Sequence, residues 1–133
     1  MANQSASNTN GSSRLNAIEA FDLTGSGNNS LSLGLADIRD LACFNWLNSS
    51  TAASLGFSSG TYTLPATSSR HQLLITGNAG DSLTGLDGTW TNAGTISGSG
   101  SFGATFSGSF NVLESSTGLA QLFVHNSITR TGL

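Results

Sequence analysis

The sequence contains no lysine; its cations are Arg14, Arg39, Arg70 and Arg130, and charged residues make up only 8% of the chain. A chain this poor in positive charge offers no basic patch to neutralise phosphates, which argues against nucleic acid as a partner. The single cysteine, Cys43, excludes an internal disulfide and reads as a small buried apolar residue. No apolar run approaches the roughly 20 residues of a membrane-spanning helix, so no membrane insertion is expected. Residues 1–15, MANQSASNTNGSSRL, carry no apolar stretch of the signal-peptide kind. They are expected to be a disordered lead-in or linker, with residues 16–133 forming a single β-rich domain.

Catalytic patterns are also missing. There is no G-x-S-x-G elbow in a strand–turn–helix setting. The glycine-rich GSGSFG at 98–103 lies between strand-like segments with no helix after it, unlike a phosphate loop. His71 and His125 sit in or beside apolar strands and lack partners at zinc-ligand spacing. The expectation is a protein that is not an enzyme.

What the chain does have is small and uncharged. Ser, Thr, Gly and Asn number 23, 15, 17 and 12, and hydrophobic residues reach 37%. That hydrophobic fraction separates the chain from the weakly hydrophobic, highly charged composition of disordered proteins. Leu31, Leu33 and Leu35 alternate with small residues, as do Leu73 and Ile75, and the alternation is longest from Phe102 to Val112. Period-2 spacing of this kind marks half-buried strands. Residues 102–112 and 119–128, separated by the turn residues ESSTG, predict an antiparallel hairpin. A strand around Trp90 is expected to be interrupted near Asn92-Ala93-Gly94. Leu35, Ile38, Leu41, Ala42 and Trp46 fall at helical spacing, which predicts a helix of about three turns over ADIRDLACFNWL. Residues 48–70 read as a long polar connection, tacked down by Leu55, Phe57 and Tyr62.

One nine-residue phrase occurs twice: TGSGNNSLS at 24–32 and TGNAGDSLT at 76–84. Each offers a glycine-bearing turn followed by a short strand that brings one leucine, Leu31 or Leu83, into a core. The phrases match, in altered form, the nonapeptide G-G-x-G-x-D-x-U-x, whose aspartate and turn carbonyls bind calcium. Here the sixth place holds Asn29 in one copy and Asp81 in the other. Asp81 is thus either a turn residue or one ligand of a single calcium site, with Asp22 and Asp87 as the other candidate ligands.

The order IEAFDLTGSGNNSLSLGLADI, QLLITGNAGDSLTG, GTWTNAGT and SFNVLESSTGLAQLFV resembles modules from the C-terminal regions of large bacterial RTX-type, adhesin-like or agglutinin-like surface proteins. The resemblance spans about residues 16–128. It implies a type I secreted, extracellular or cell-surface, non-catalytic structural or adhesive module, with neighbouring modules of a longer polypeptide as partners. Calcium is the implied cofactor. The alternative is a carbohydrate-binding module, in which Trp90 and Tyr62 would stack on surface glycans. The expected fold is mainly β: short roll-like parallel rungs from the first half, antiparallel hairpins from the second and one short helix. A β-sandwich is the architectural alternative.

Overall fold

The computed structural model describes residues 20–25, 27–34, 38, 43–44, 46–66, 70–86, 89–102, 104–116 and 120–130. The strands are β1 (Ala20–Asp22), β2 (Ser30–Ser32), β3 (Cys43–Phe44), β4 (Phe57–Ser59), β5 (His71–Thr76), β6 (Ser82–Thr84), β7 (Trp90–Phe102), β8 (Ala104–Ser115), β9 (Ala120–His125) and β10 (Thr129–Arg130). One short helix, α1 (Ala52–Leu55), precedes β4. The expected lead-in, 1–15, lies outside the described residues.

The two copies of the repeated phrase stack. β2 and β6 run parallel with Ser30 opposite Ser82 and Leu31 opposite Leu83. The strands that enter the same turns, β1 and β5, are also parallel, with Ala20 opposite Leu74. Each copy is therefore a β-arch, in which one strand turns over into a strand of a second sheet. A third arch completes the stack. β9 lies parallel to β5, with Leu74 opposite Phe123, and β10 lies parallel to β6, with Thr129 opposite Ser82. The arch turns shorten along the stack, from residues 23–29 to 77–81 to 126–128. The parallel pairing is thus not confined to the first half of the chain, because the third arch is built from its C-terminal end.

Antiparallel strands extend the first sheet. β9 pairs with β8 and β8 with β7, giving the order β1-β5-β9-β8-β7-β4, while β3 joins the other side of β5 from β9. β7 shifts register between Asn92 and Gly94, at the expected interruption. Such a bulge lets a long strand bend without leaving its partner.

The large sheet buries both faces. Leu73 and Ile75 of β5, Leu122 and Val124 of β9, Leu113 of β8 and Trp90 of β7 pack with Leu83, Leu33, Leu86 and Ile128 from the small sheet and its turns, forming one core. The opposite face carries Leu74, Phe123 and Val112, together with Phe106, Phe110 and Ile96. Residues 46–66 cover it with Leu47, Ala52, Phe57 and Leu64. Phe57 stacks on Phe106 at 4.6 Å between ring centroids and meets Phe110 edge-on at 6.0 Å. The expected polar connection is therefore a structured cover for the sheet.

The expected three-turn helix does not run through to Leu47. The N–H of Ile38 bonds to the carbonyl of Gly34, the spacing of an α-helical turn. Cys43–Phe44 is instead extended, with Cys43 opposite Gln72 and Phe44 opposite His71. Pairing there satisfies backbone groups along β5 that a helix would leave to other partners. Residues 35–37, 39–42 and 45 lie outside the described residues.

Candidate functional site

The arch tips hold the residues singled out for metal binding. Asp81 is fully buried. Its Oδ1 accepts hydrogen bonds from the Asn29 backbone N–H at 2.8 Å and from Asn29 Nδ2 at 3.3 Å. Its Oδ2 accepts one from the Asn78 N–H at 2.7 Å. Its backbone carbonyl accepts from Thr129 N–H in the third arch at 3.0 Å. One residue thus ties all three rungs together. The hydrogen bond from Asn78, then that from the Asn29 backbone, hold its carboxyl below the ordinary value, against the opposing effect of burial. Fixed N–H donors favour the ionised form, as a cation would.

This geometry explains the asymmetry of the repeat. The sixth places stack, and Asn29 contributes the donor that a second aspartate would lack. Asn29 Nδ2 also donates to the Leu23 carbonyl at 2.8 Å. Two facing carboxylates without a cation would repel one another. In the third arch the place before the paired threonine is taken by the apolar Ile128. The turn needs its glycines: Gly80 has φ +98°, and a Cβ on Gly77 would come within 2.9 Å of Asp81 Oδ2 and 3.0 Å of Ile128 Cδ1.

Asp22 does not join Asp81. It is exposed, and its Oδ1 accepts from the backbone N–H of Thr24 at 2.8 Å and from the Thr24 hydroxyl, closing its own turn. Asp87 lies outside the described residues. Among the described residues, no group of three or more His, Cys, Asp or Glu side chains is placed to hold a metal.

The candidate glycan-stacking residues are also spoken for. Trp90 is buried, 8% exposed, in the core between the two sheets, so no ring face is open to a sugar. Tyr62 is half-buried and belongs to a polar row that sequence reading missed. Its hydroxyl donates to Glu114 Oε2 at 3.1 Å and accepts from Gln121 Nε2 at 3.0 Å. Gln121 Nε2 also reaches Glu114 Oε2, and its Oε1 accepts from Gln72 Nε2 at 2.7 Å. Gln72 in turn exchanges two 2.8 Å bonds with the backbone of Leu47. Gln72, Gln121 and Glu114 sit opposite one another across β5, β9 and β8. Burial, outweighing the bond from Gln121, raises the Tyr62 pKa above its ordinary value. The missed signal is a polar residue on the same strand faces as Leu74, Phe123 and Val112: buried polar groups need partners.

His125 Nδ1 accepts from the backbone N–H of Ser127 at 3.1 Å, so Nε2 carries the proton and donates to the Ser107 carbonyl at 3.0 Å. Both ring nitrogens of this strand histidine are thus engaged by backbone groups, not by a hydroxyl nucleophile. A shallow depression of about 430 Å³ lies over the glycines and serines of β4, β7 and β8. A cleft of about 270 Å³ lies between the arch tips and Phe106–Ser107. Comparison with protein-family models, with curated proteins and with solved structures found no match for this chain.

Proposed function

We propose that the chain is a non-catalytic structural module of a longer, secreted bacterial surface polypeptide, serving as a spacer or adhesive unit among neighbouring modules. The observation that carries this reading is the in-register stacking of the two phrases, Leu31 on Leu83 and Asn29 on Asp81. Stacked turn-plus-strand units bury a continuous interior, the physical logic of repeat architectures. The segment order that resembles RTX-type adhesins supplies the expectation of export and a surface location.

The reading also includes metal-independent folding. Asp81 spends its carboxylate on N–H donors, so calcium is not needed to neutralise it. The melting temperature is expected to be the same in millimolar calcium and in chelator, since only a ligand that binds the folded state raises it. A calcium-dependent rise with matching calorimetric binding would remove this part of the reading. For the reading as a whole, the native gene decides. Its open reading frame should continue into further glycine- and aspartate-bearing nonapeptides, and a frame encoding these 133 residues alone would defeat it.

A further inference from the structure

We propose that the first-arch end of the stack, formed by β1 and β2, is a docking edge for a further arch of the same build, supplied by polypeptide that precedes the first arch. The proposal rests on the reading of the chain as one module among neighbours, and it names the surface that meets the preceding one.

The two ends of the stack differ. β1 and β2 are the terminal strands of their sheets, on the same side of the middle arch. Phe21 stands opposite Ile75, and Leu31 opposite Leu83. Ile75 and Leu83 are fully buried, whereas Phe21 and Leu31 are only half-buried, because no rung lies beyond them. At the other end β9 pairs onward with β8, and Arg130 of β10 takes the place that Leu83 holds in β6. An inward-pointing charge blunts a sheet edge against further strands. The stack is therefore closed at the third arch and open at the first.

The backbone of the open end continues the bonding pattern of the stack. Ser82 N–H donates to the Asn29 carbonyl at 2.8 Å, and Thr129 N–H to the Asp81 carbonyl at 3.0 Å. At the seventh place, then, each arch donates to the sixth-place carbonyl of the arch before it. Leu33 N–H faces the stack, donating to the Thr84 carbonyl at 2.9 Å, as Leu23 N–H does to that of Thr76 at 2.8 Å. Amides alternate sides along a paired strand, so those of Ser30, Ser32 and Asp22 face outward. Asp81 also reaches back with its carboxylate to the sixth-place N–H of the arch before it. Asn29 holds that place in the first arch. Its Nδ2 is engaged by Asp81 and the Leu23 carbonyl, which leaves Oδ1 to accept from the sixth-place N–H of an incoming arch. The arches stack in their order along the chain, so the occupant of this edge comes from the N-terminal side.

The probe is a synthetic peptide with the sequence of the chain's own second arch, residues 72–86, beside a scrambled control. It is titrated into the full chain and followed by ¹H–¹⁵N correlation spectra and amide exchange. The arch peptide alone is expected to give saturable shifts centred on residues 21–23 and 29–32, with slowed exchange at Ser30 and Ser32. Leu31→Arg places at the open end the cation found at the closed one, and should abolish binding. Ser30→Pro removes one outward donor and should weaken binding roughly fivefold, the equivalent of one neutral hydrogen bond; it serves as the test should Leu31→Arg fold poorly. Ser97→Ala on β7 should bind as the parent does. Absence of saturation, an equal response to the scrambled peptide, shifts centred elsewhere, unchanged affinity in the folded Leu31 and Ser30 variants, or protection of Ser30 and Ser32 by self-association before peptide is added would each overturn the proposal. A failed titration beside a native reading frame that continues upstream removes the docking edge alone; a frame without further arches removes the modular reading, whatever the peptide does.

Discussion

At the scale of the residue, Asp81 holds adjacent turns together through backbone N–H groups of two arches. Asp81→Asn tests this with nearly unchanged shape. Whichever way the amide is turned, its NH₂ faces the N–H of Asn29 or of Asn78, so donor meets donor and the variant should be clearly less stable at neutral pH. The pH dependence follows from the lowered carboxyl pKa. On acidification the unfolded chain takes up a proton near the ordinary 3.8, before the folded one does. The stabilisation from Asp81 is therefore complete above that pH and is lost as pH falls through the lower folded value. Denaturant melts should show the gap between parent and variant narrowing as pH falls through 3.8 and below; a constant gap would mean that the carboxylate charge contributes nothing. Gly77→Ala is expected to destabilise at the same place, since its Cβ would press on Asp81 Oδ2 and Ile128.

At the scale of the element, the segment over residues 46–66 turns a half-wet sheet into a two-faced one. Its hold depends on the polar row as well as on Phe57. Tyr62→Phe deletes the hydroxyl that joins the segment to Gln121 and Glu114, and should cost about 1 kcal/mol. The Tyr62 pKa is raised, so the folded chain keeps the phenolic proton to higher pH than the unfolded one does. That contribution is whole below the ordinary 10.0 and is lost as pH rises through the folded value. The phenylalanine variant should accordingly show a weaker alkaline loss of stability than the parent. How well each element could be read from sequence followed from how local its cause is. Leu31, Leu83 and the alternation from Phe106 to Val112 announce strands because each strand supplies its own pattern. The third arch was hidden because HNSITR contains no glycine and puts Arg130 where the other rungs have leucine. The end of the helical stripe misled for a tertiary reason: Cys43 and Phe44 pair with β5, and Trp46 and Leu47 belong to the core on the other side of the large sheet from Ile38. The buried role of Gln72 and Gln121 depended on what covers them, which no single strand records.

At the scale of the whole molecule, the parallel rungs and the antiparallel hairpins are one cooperative body, because the same strands serve both cores. β5 sends Leu73 and Ile75 to one side and Leu74 to the other; β9 sends Leu122 and Val124 to one side and Phe123 to the other. Neither core can melt while these strands stay ordered on its behalf alone. The chain carries its own reporters: Trp90 lies in the core between the sheets, and Trp46 packs against the outer core, with its Nε1 donating to the Gln72 carbonyl at 2.7 Å. Trp46→Phe and Trp90→Phe variants each leave one fluorophore, and the two should report the same denaturant midpoint once each is compared with its own circular-dichroism transition. Leu83→Ala sharpens the test. Leu83 is fully buried in the small sheet, on the other side of the large sheet from the outer core, and its truncation should cost about 2–5 kcal/mol. If the body is single, the substitution lowers the midpoint seen by Trp46 as much as that seen by Trp90. A lowered midpoint for Trp90 with Trp46 unmoved would mean that the arches and the covered hairpin fold as separate units, and the shared strands would then not couple the two cores.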